Sequence, residues 1–320
     1  MKKSSLINRL FLYKCLLEIR LFKKNYYFIK NKHVGDIVRT LPAISLFKEC
    51  HLKHKRAKII VLTTANKVGL MEMNKDIDEV RILSSENLLK LENYCRADKN
   101  INNLFRDAYA VDELGPIYNF TKEYIDAHSG ILTIPNRIGE ESEKKAKAFL
   151  AKRKLDPLKT LLLVPYAASS SSLDVDSIKS VVKFYLASGY RVLTNAYGEG
   201  QKIADGSELL DVPADVLLSL IRQGMTVISV QCGIADSCAW MNLSDRLIKI
   251  YILKTERDRY YFSKRKLNTE QKIKQTGFGY TVVVSTDQDC KDLNENLIRL
   301  SKLLIGNYSV QRANPAGFVQ

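Results

Sequence analysis

The sequence predicts an α/β protein of two halves of similar size, each a parallel sheet with helices, facing each other across a groove. Three observations predict it. From residue 25 onward, apolar β-branched runs alternate with helical runs. The alternation pauses at a charged stretch over residues 139–154 and restarts at residue 160. Each half also places a glycine, Gly35 or Gly233, at a strand-to-helix turn, the edge where open α/β sheets hold ligands.

Residues 1–24 read as a basic amphipathic helix. Leu6, Ile7, Leu10, Cys15, Leu17 and Leu21 are its apolar positions, with Lys2, Lys3, Arg9, Lys14, Arg20, Lys23 and Lys24 among them. Such a helix lies in a membrane interface or docks on the protein's own core, and the two are compatible.

The aromatic run Tyr26-Tyr27-Phe28-Ile29 marks a first strand over 25–30, and a helix follows over 36–50. Pro42 inside that helix predicts a distortion near 38–42, because an interior proline removes a hydrogen bond. AKIIVLTT over 57–64 is a buried-strand run, 65–73 a short helix and 80–83 a third strand. Helical patterns fill 86–94, 100–110 and 116–128.

The charged helix 139–154 ends at Leu155-Asp156-Pro157, the expected domain boundary. Strands over 160–165, 190–195, 225–231, 246–253 and 280–285 then alternate with helices over 174–188, 213–223, 233–242 and 290–305. The expected plan is thus a helix over 1–24, domains over 25–154 and 155–306, and an aperiodic tail over 307–320.

Of the 320 residues, 46% are hydrophobic and 27% charged, which suits a core-forming chain rather than a disordered one. No apolar run reaches the ~18 residues of a membrane span, and no secretory signal is read at the N-terminus. The six cysteines (15, 50, 95, 232, 238, 290) and four histidines (33, 51, 54, 128) show no metal-ligand cadence. Reduced thiols, a cytoplasmic location, no cofactor and no metal are therefore expected.

The net charge of +15 is concentrated. Residues 1–58 hold fifteen Lys/Arg and three Asp/Glu, a net +12. A localised positive field suits a polyanion: an anionic membrane face, a phosphorylated glycan or nucleic acid. No basic-aromatic recognition module accompanies it, so nucleic acid is not the expected partner.

Two α/β halves with a Gly-Asp corner resemble the GT-B glycosyltransferases, two Rossmann-like domains across a cleft. More narrowly they resemble the ADP-heptose:lipopolysaccharide heptosyltransferases of glycosyltransferase family 9. The likeness rests on HVGDIVRTLPAISLFKE (33–49), AKIIVLTTANKVGLMEMNKDIDEV (57–80), YRVLTNAYGEGQK (190–202) and DVPADVLLSLIRQGMTVISVQCGIADSCAWM (211–241), and it covers about residues 25–305.

The resemblance implies an inverting, metal-independent transfer of a heptose or hexose-like sugar. The donor would be a nucleotide-diphosphate sugar. The acceptor would be an anionic cell-envelope glycan or glycolipid, such as lipopolysaccharide or capsule, at the inner face of the cytoplasmic membrane. It gives Asp36 the role of base toward the acceptor hydroxyl; read alone, Asp36 is equally a helix N-cap. Gly35 would allow a close backbone approach or a positive φ. Arg39, one turn on, would meet an acceptor phosphate or stand in solvent, and His33 would touch substrate or lie on the surface.

In the second half, Gly233 would present backbone amides to the diphosphate. Asn195, Gly198 and Glu199 would contact base or ribose, or serve as ordinary loop residues. Cys232 lies in the same turn and is otherwise a packing thiol.

The chain departs from the family pattern in two places. Gln231-Cys232-Gly233-Ile234-Ala235-Asp236 keeps only the glycine of an Asp, Thr/Ser, Gly and later His pattern. The loop Tyr166-Ala167-Ala168-Ser169-Ser170-Ser171-Ser172 has no Lys or Arg before Lys179, leaving Ser169 and Ser170 as hydroxyl substitutes for a charge. Arg257, Arg259, Lys264, Arg265 and Lys266 would supply that charge or form a solvated helix face. The alternative to a transferase is a non-catalytic glycan-binding or scaffolding protein on the same fold.

Overall fold

Two separate parallel sheets organise the chain, built from the β-branched and leucine-rich runs. The computed structural model describes residues 12–19, 21, 25–31, 34–48, 52, 56–97, 104–105, 138–167, 171–196, 200–241, 243, 246–256, 258–259, 273–276 and 279–313. The chain divides into two units: Met1–Glu143 with Pro213–Val216, and Lys144–Val212 with Leu217–Gln320.

The first unit starts with helix α1 (residues 12–19) and then β1 (Tyr26–Lys30). It continues with α2 (Val34–Phe47), β2 (Ile59–Thr63), α3 (Val68–Met71), β3 (Glu79–Ile82), α4 (Ser85–Ala97) and β4 (Leu104–Phe105). The sheet order is β3-β2-β1-β4, and every pairing is parallel. Phe28 of β1 stands opposite Val61 on one side and Phe105 on the other. β1 and β2 are apolar almost throughout because, as inner strands of a parallel sheet, they are covered on both faces.

Two expectations are corrected here. α2 is one helix from Val34 to Phe47, so Pro42 does not break it, although a single helix was not expected through that proline. Ile37, Val38, Leu41, Ile44 and Phe47 are all fully buried along one face, and that burial offsets the one hydrogen bond a proline forfeits. The helical pattern expected over 100–110 instead contains strand β4. Its two residues lie beside β1, where pairing with an open strand edge overrides a local helical preference. The helix expected over 116–128 lies outside the described residues.

The division between the units falls within α5 (Glu140–Arg153). This helix has Glu140, Glu141 and Glu143 in its first turn and Lys152 and Arg153 in its last, matching its dipole at both ends. The second unit continues with β5 (Thr160–Val164), α6 (Val175–Ala187), β6 (Arg191–Thr194), β7 (Glu208–Leu209), α7 (Ala214–Arg222) and β8 (Thr226–Val230). Then come α8 (Gly233–Trp240), β9 (Leu247–Ile252), β10 (Ile273–Thr276), β11 (Gly279–Val284) and α9 (Asp287–Ala313). α9 extends past residue 305, so the described part of the expected tail, 307–313, is helical.

This sheet has the order β10-β11-β9-β8-β5-β6-β7 and is parallel except for β10, which pairs antiparallel with β11. One core joins Leu161 and Leu163 of β5, Val192 of β6, Ile228 and Val230 of β8 and Ile248 and Ile250 of β9. Val181 and Tyr185 of α6 and Leu297 and Leu300 of α9 cover it.

Candidate functional site

The second sheet begins at β5 and grows outward through β6 to β7. The chain then crosses back and builds β8, β9 and β11 on the other side of β5. The order therefore reverses between β5 and β8. Such a reversal is the usual ligand position in open α/β sheets, because the loops leaving the two carboxyl ends run in opposite directions there.

The loop after β5 is held at both flanks. Tyr166 donates its hydroxyl to the Lys202 carbonyl (3.0 Å) and accepts from the Lys202 amide (3.3 Å). Further on, Ser171 donates its hydroxyl to Asp258 Oδ2 (2.9 Å) and its amide to Oδ1 (3.3 Å). Asp258 is buried and also accepts from the amide and hydroxyl of Thr255. Burial pushes its carboxyl upward, but the hydrogen bonds from Thr255 and Ser171 outweigh that and hold it below the usual carboxylate range. Asp174 then caps α6, accepting from the Ser177 amide at 2.8 Å.

Asn195 extends β6 by one pairing, its amide donating to the Leu163 carbonyl at 2.9 Å. It is half-buried at the carboxyl edge of β6, next to β5.

The turn after β8 carries an ion pair. Gln231 is fixed by its amide donating to the Ile250 carbonyl (2.8 Å). Its side-chain amide reaches both carboxylate oxygens of Asp236, at 3.1 and 3.0 Å. Lys249, in β9, donates to Asp236 Oδ1 at 2.9 Å, and its ammonium lies 5.1 Å from the Tyr251 ring centroid. Burial alone would lower the Lys249 pKa; Asp236 and Tyr251 together outweigh burial and raise it, so this lysine stays charged.

Cys232 precedes α8 and lies 3.3 Å from the Ser229 hydroxyl. Burial of its sulfur raises the thiol pKa, while Ser229 and the backbone amides of Ala235 and Ile234 act in the other direction. The first amides of α8 therefore already face a protein sulfur. In α8 itself, Cys238 is fully buried and pushed up to about 12, as expected of a packing thiol.

Beyond β9, exposed Arg259 is held by its Nε donating to the Leu253 carbonyl at 3.3 Å. Of the five basic residues singled out in that stretch, only Arg259 lies among the described residues.

In the first unit, the order reverses between β1 and β4. α2 follows β1 after a short turn, so Gly35 and Asp36 occupy its first turn. Asp36 lies inside the helix and is therefore not its cap. Gly35 has helical, hence negative-φ, backbone, so the positive φ expected for it is not found. Arg39 is one turn further along α2. Nearby, Asn31 accepts from the Thr64 hydroxyl (3.2 Å), and Lys67 donates to both its carbonyl and its side-chain oxygen. The side chains of Asp36 and Arg39 lie outside the described residues, as do His33, Ser169, Ser170, Gly198 and Glu199 entirely.

The structure thus brings Asn195, Cys232 and Gly233 to one sheet edge, and Gly35, Asp36 and Arg39 to the first turns of one helix in the other unit. Sequence reasoning missed Asp236, Lys249 and Asp258. The signal for Lys249 was a lone charge inside the apolar run RLIKIYIL, since a buried lysine requires a partner.

No family model matches the sequence, and no curated protein matches it. Solved structures do match. A glycosyltransferase family 9 protein from Veillonella parvula superimposes with TM-score 0.55 at 11% identity, over 89% of this chain and 97% of that one. The ADP-heptose lipopolysaccharide heptosyltransferase II of E. coli gives 0.54 at 12% identity, over 89% and 99%. This chain shares their fold.

Proposed function

We propose that this chain is an inverting, metal-independent glycosyltransferase. The second unit holds a nucleotide-diphosphate sugar and the first an anionic cell-envelope glycan or glycolipid. Asp36 removes the proton from the attacking hydroxyl. That oxygen bonds to the anomeric carbon as the bond to the diphosphate breaks, and the electron pair leaves on the phosphate oxygen. The amides of α8 and the Arg259 guanidinium receive the developing charge.

The single observation that carries this reading is the position of Gly35 and Asp36. They lie in the first turn of the helix that follows β1, at the point where the strand order of the first sheet reverses. An acid at that position suits the usual ligand edge of an open α/β sheet, on a fold shared with a family 9 glycosyltransferase and an ADP-heptose lipopolysaccharide heptosyltransferase.

The α8 turn favours a second reading. The Cys232 sulfur faces its first amides and the Asp236 carboxylate lies in its first turn, where a diphosphate would otherwise stand. A glycan-binding or scaffolding protein needs no phosphate cradle at that turn.

A thermal-shift panel of nucleotide diphosphates and nucleotide sugars separates the two. A ligand at one hundred times its Kd stabilises by about 2.7 kcal/mol. Stabilisation by one base, followed by loss of turnover in Asp36→Asn by about 10²-fold or more with donor stabilisation retained, supports the transferase. A flat panel supports the binding protein, and an active Asp36→Asn variant removes Asp36 from the base role.

A further inference from the structure

We propose that the outward face of α1 docks on an anionic lipid surface. α1 has two apolar faces. One is part of the first unit's core: Leu12, Cys15 and Ile19 are 8%, 0% and 1% exposed, and Leu12 and Ile19 pack with Tyr27, Ile29, Ile60 and Leu62. Arg81 of β3 fixes that face by pairing with Glu18 of α1 and, at 2.6 Å, with Glu79.

The opposite face carries Tyr13 and Leu17, which are 67% and 59% exposed, and Leu21, also helical, is 66% exposed. Successive intervals of four residues keep such positions on one side of a helix. The same three- and four-residue spacing continues back through Leu10 and Leu6 in the sequence. A helix that needs only one face to join a core has no packing reason for a second, outward apolar stripe.

Charge identifies the occupant. Exposed Lys14 sits beside the stripe, and the same segment of sequence supplies Lys2, Lys3, Arg9, Arg20, Lys23 and Lys24. Lys2, Lys3, Arg9, Lys14, Arg20, Lys23 and Lys24 against the one acid Glu18 in residues 1–24 would make two copies of this segment repel, whereas they attract a plane of anionic headgroups. Lysine and arginine extend their ammonium and guanidinium groups to the headgroups while leucine and tyrosine enter below them. Among the described residues no helix is long and apolar enough to cross a membrane, so the contact lies along the surface. It does not depend on the sugar chemistry, and lipid binding and turnover are read separately.

The test is flotation of the full chain with vesicles of phosphatidylglycerol and phosphatidylcholine, against phosphatidylcholine alone. Expected are binding to the anionic vesicles only, weakening with added salt, and a fall of about tenfold or more in partitioning for the Leu17→Glu/Leu21→Glu double variant. The thermal melt of that variant should match the parent, and Leu17→Met/Leu21→Met should retain binding. Equal partitioning of parent and glutamate variant overturns the proposal, and so does absence of parent binding. A lost melt in the glutamate variant overturns it by assigning the stripe to the core. A parent dimer that the glutamates dissociate, without vesicle binding, overturns it in favour of a second copy.

Discussion

Lys249 Nζ lies 2.9 Å from Asp236 Oδ1, a nearly buried ion pair that ties the middle of β9 to the first turn of α8. Gln231, at the end of β8, donates to the same carboxylate, so one acid joins two strands and a helix. Removing one partner of such a pair leaves an uncompensated charge at a cost of about 3–5 kcal/mol. Lys249→Met and Asp236→Asn should each lower unfolding free energy by about that much in urea. The double variant should lose clearly less than the sum of the two, and additivity would disprove the coupling.

Arg259 is the described cation at the carboxyl edge of the second sheet whose guanidinium is exposed and anchored only through its Nε to a carbonyl. If it meets a donor phosphate, Arg259→Ala should raise the Kd of the stabilising nucleotide diphosphate about tenfold, a charged hydrogen bond being worth about 1.5–3 kcal/mol. Calorimetric titration reads this directly. The free nucleoside should bind parent and variant alike.

The Asp258 carboxyl is depressed in the folded protein. Burial raises it, but hydrogen bonds from Thr255 and Ser171 prevail. A depressed folded pKa contributes stability that is present above the unfolded value of about 3.9 and is lost as pH falls through the lower folded value. Urea midpoints measured from neutral pH down through that window should fall more steeply for the parent than for Asp258→Asn. At neutral pH the variant should be less stable by about 1–3 kcal/mol.

Gly224 joins α7 to β8 at φ +109, where a side chain is strained, and an added Cβ would stand 2.5 Å from Leu158 Cδ2. Its carbonyl accepts from Arg246. Gly224→Ala should therefore destabilise by about 1–3 kcal/mol, read as a lowered Tm without loss of the far-ultraviolet helical signal.

The α/β class and most strands were legible because inner parallel strands are covered on both faces and read as unbroken apolar runs, as in IIVLT and LIKIYI. β4 and β10 were not legible. Two residues carry no period, and IKQT is polar; each is a strand only because a neighbouring edge supplies its hydrogen bonds. Gly35 and Asp36, expected at the turn between strand and helix, lie instead inside the first turn of α2, because the helix begins two residues earlier than its apolar pattern indicates.

Local order in the chain thus determined which segments become strands and helices, and that a positive field gathers at residues 1–58. Tertiary structure alone decided the strand order that reverses beside β5, the pairing of Asp236 with Lys249, the clip between Ser171 and Asp258, and which face of α1 turns outward. Periodicity is set by neighbours three or four residues apart. These choices depend on groups 13, 87 and 63 positions apart that meet only when the sheets assemble.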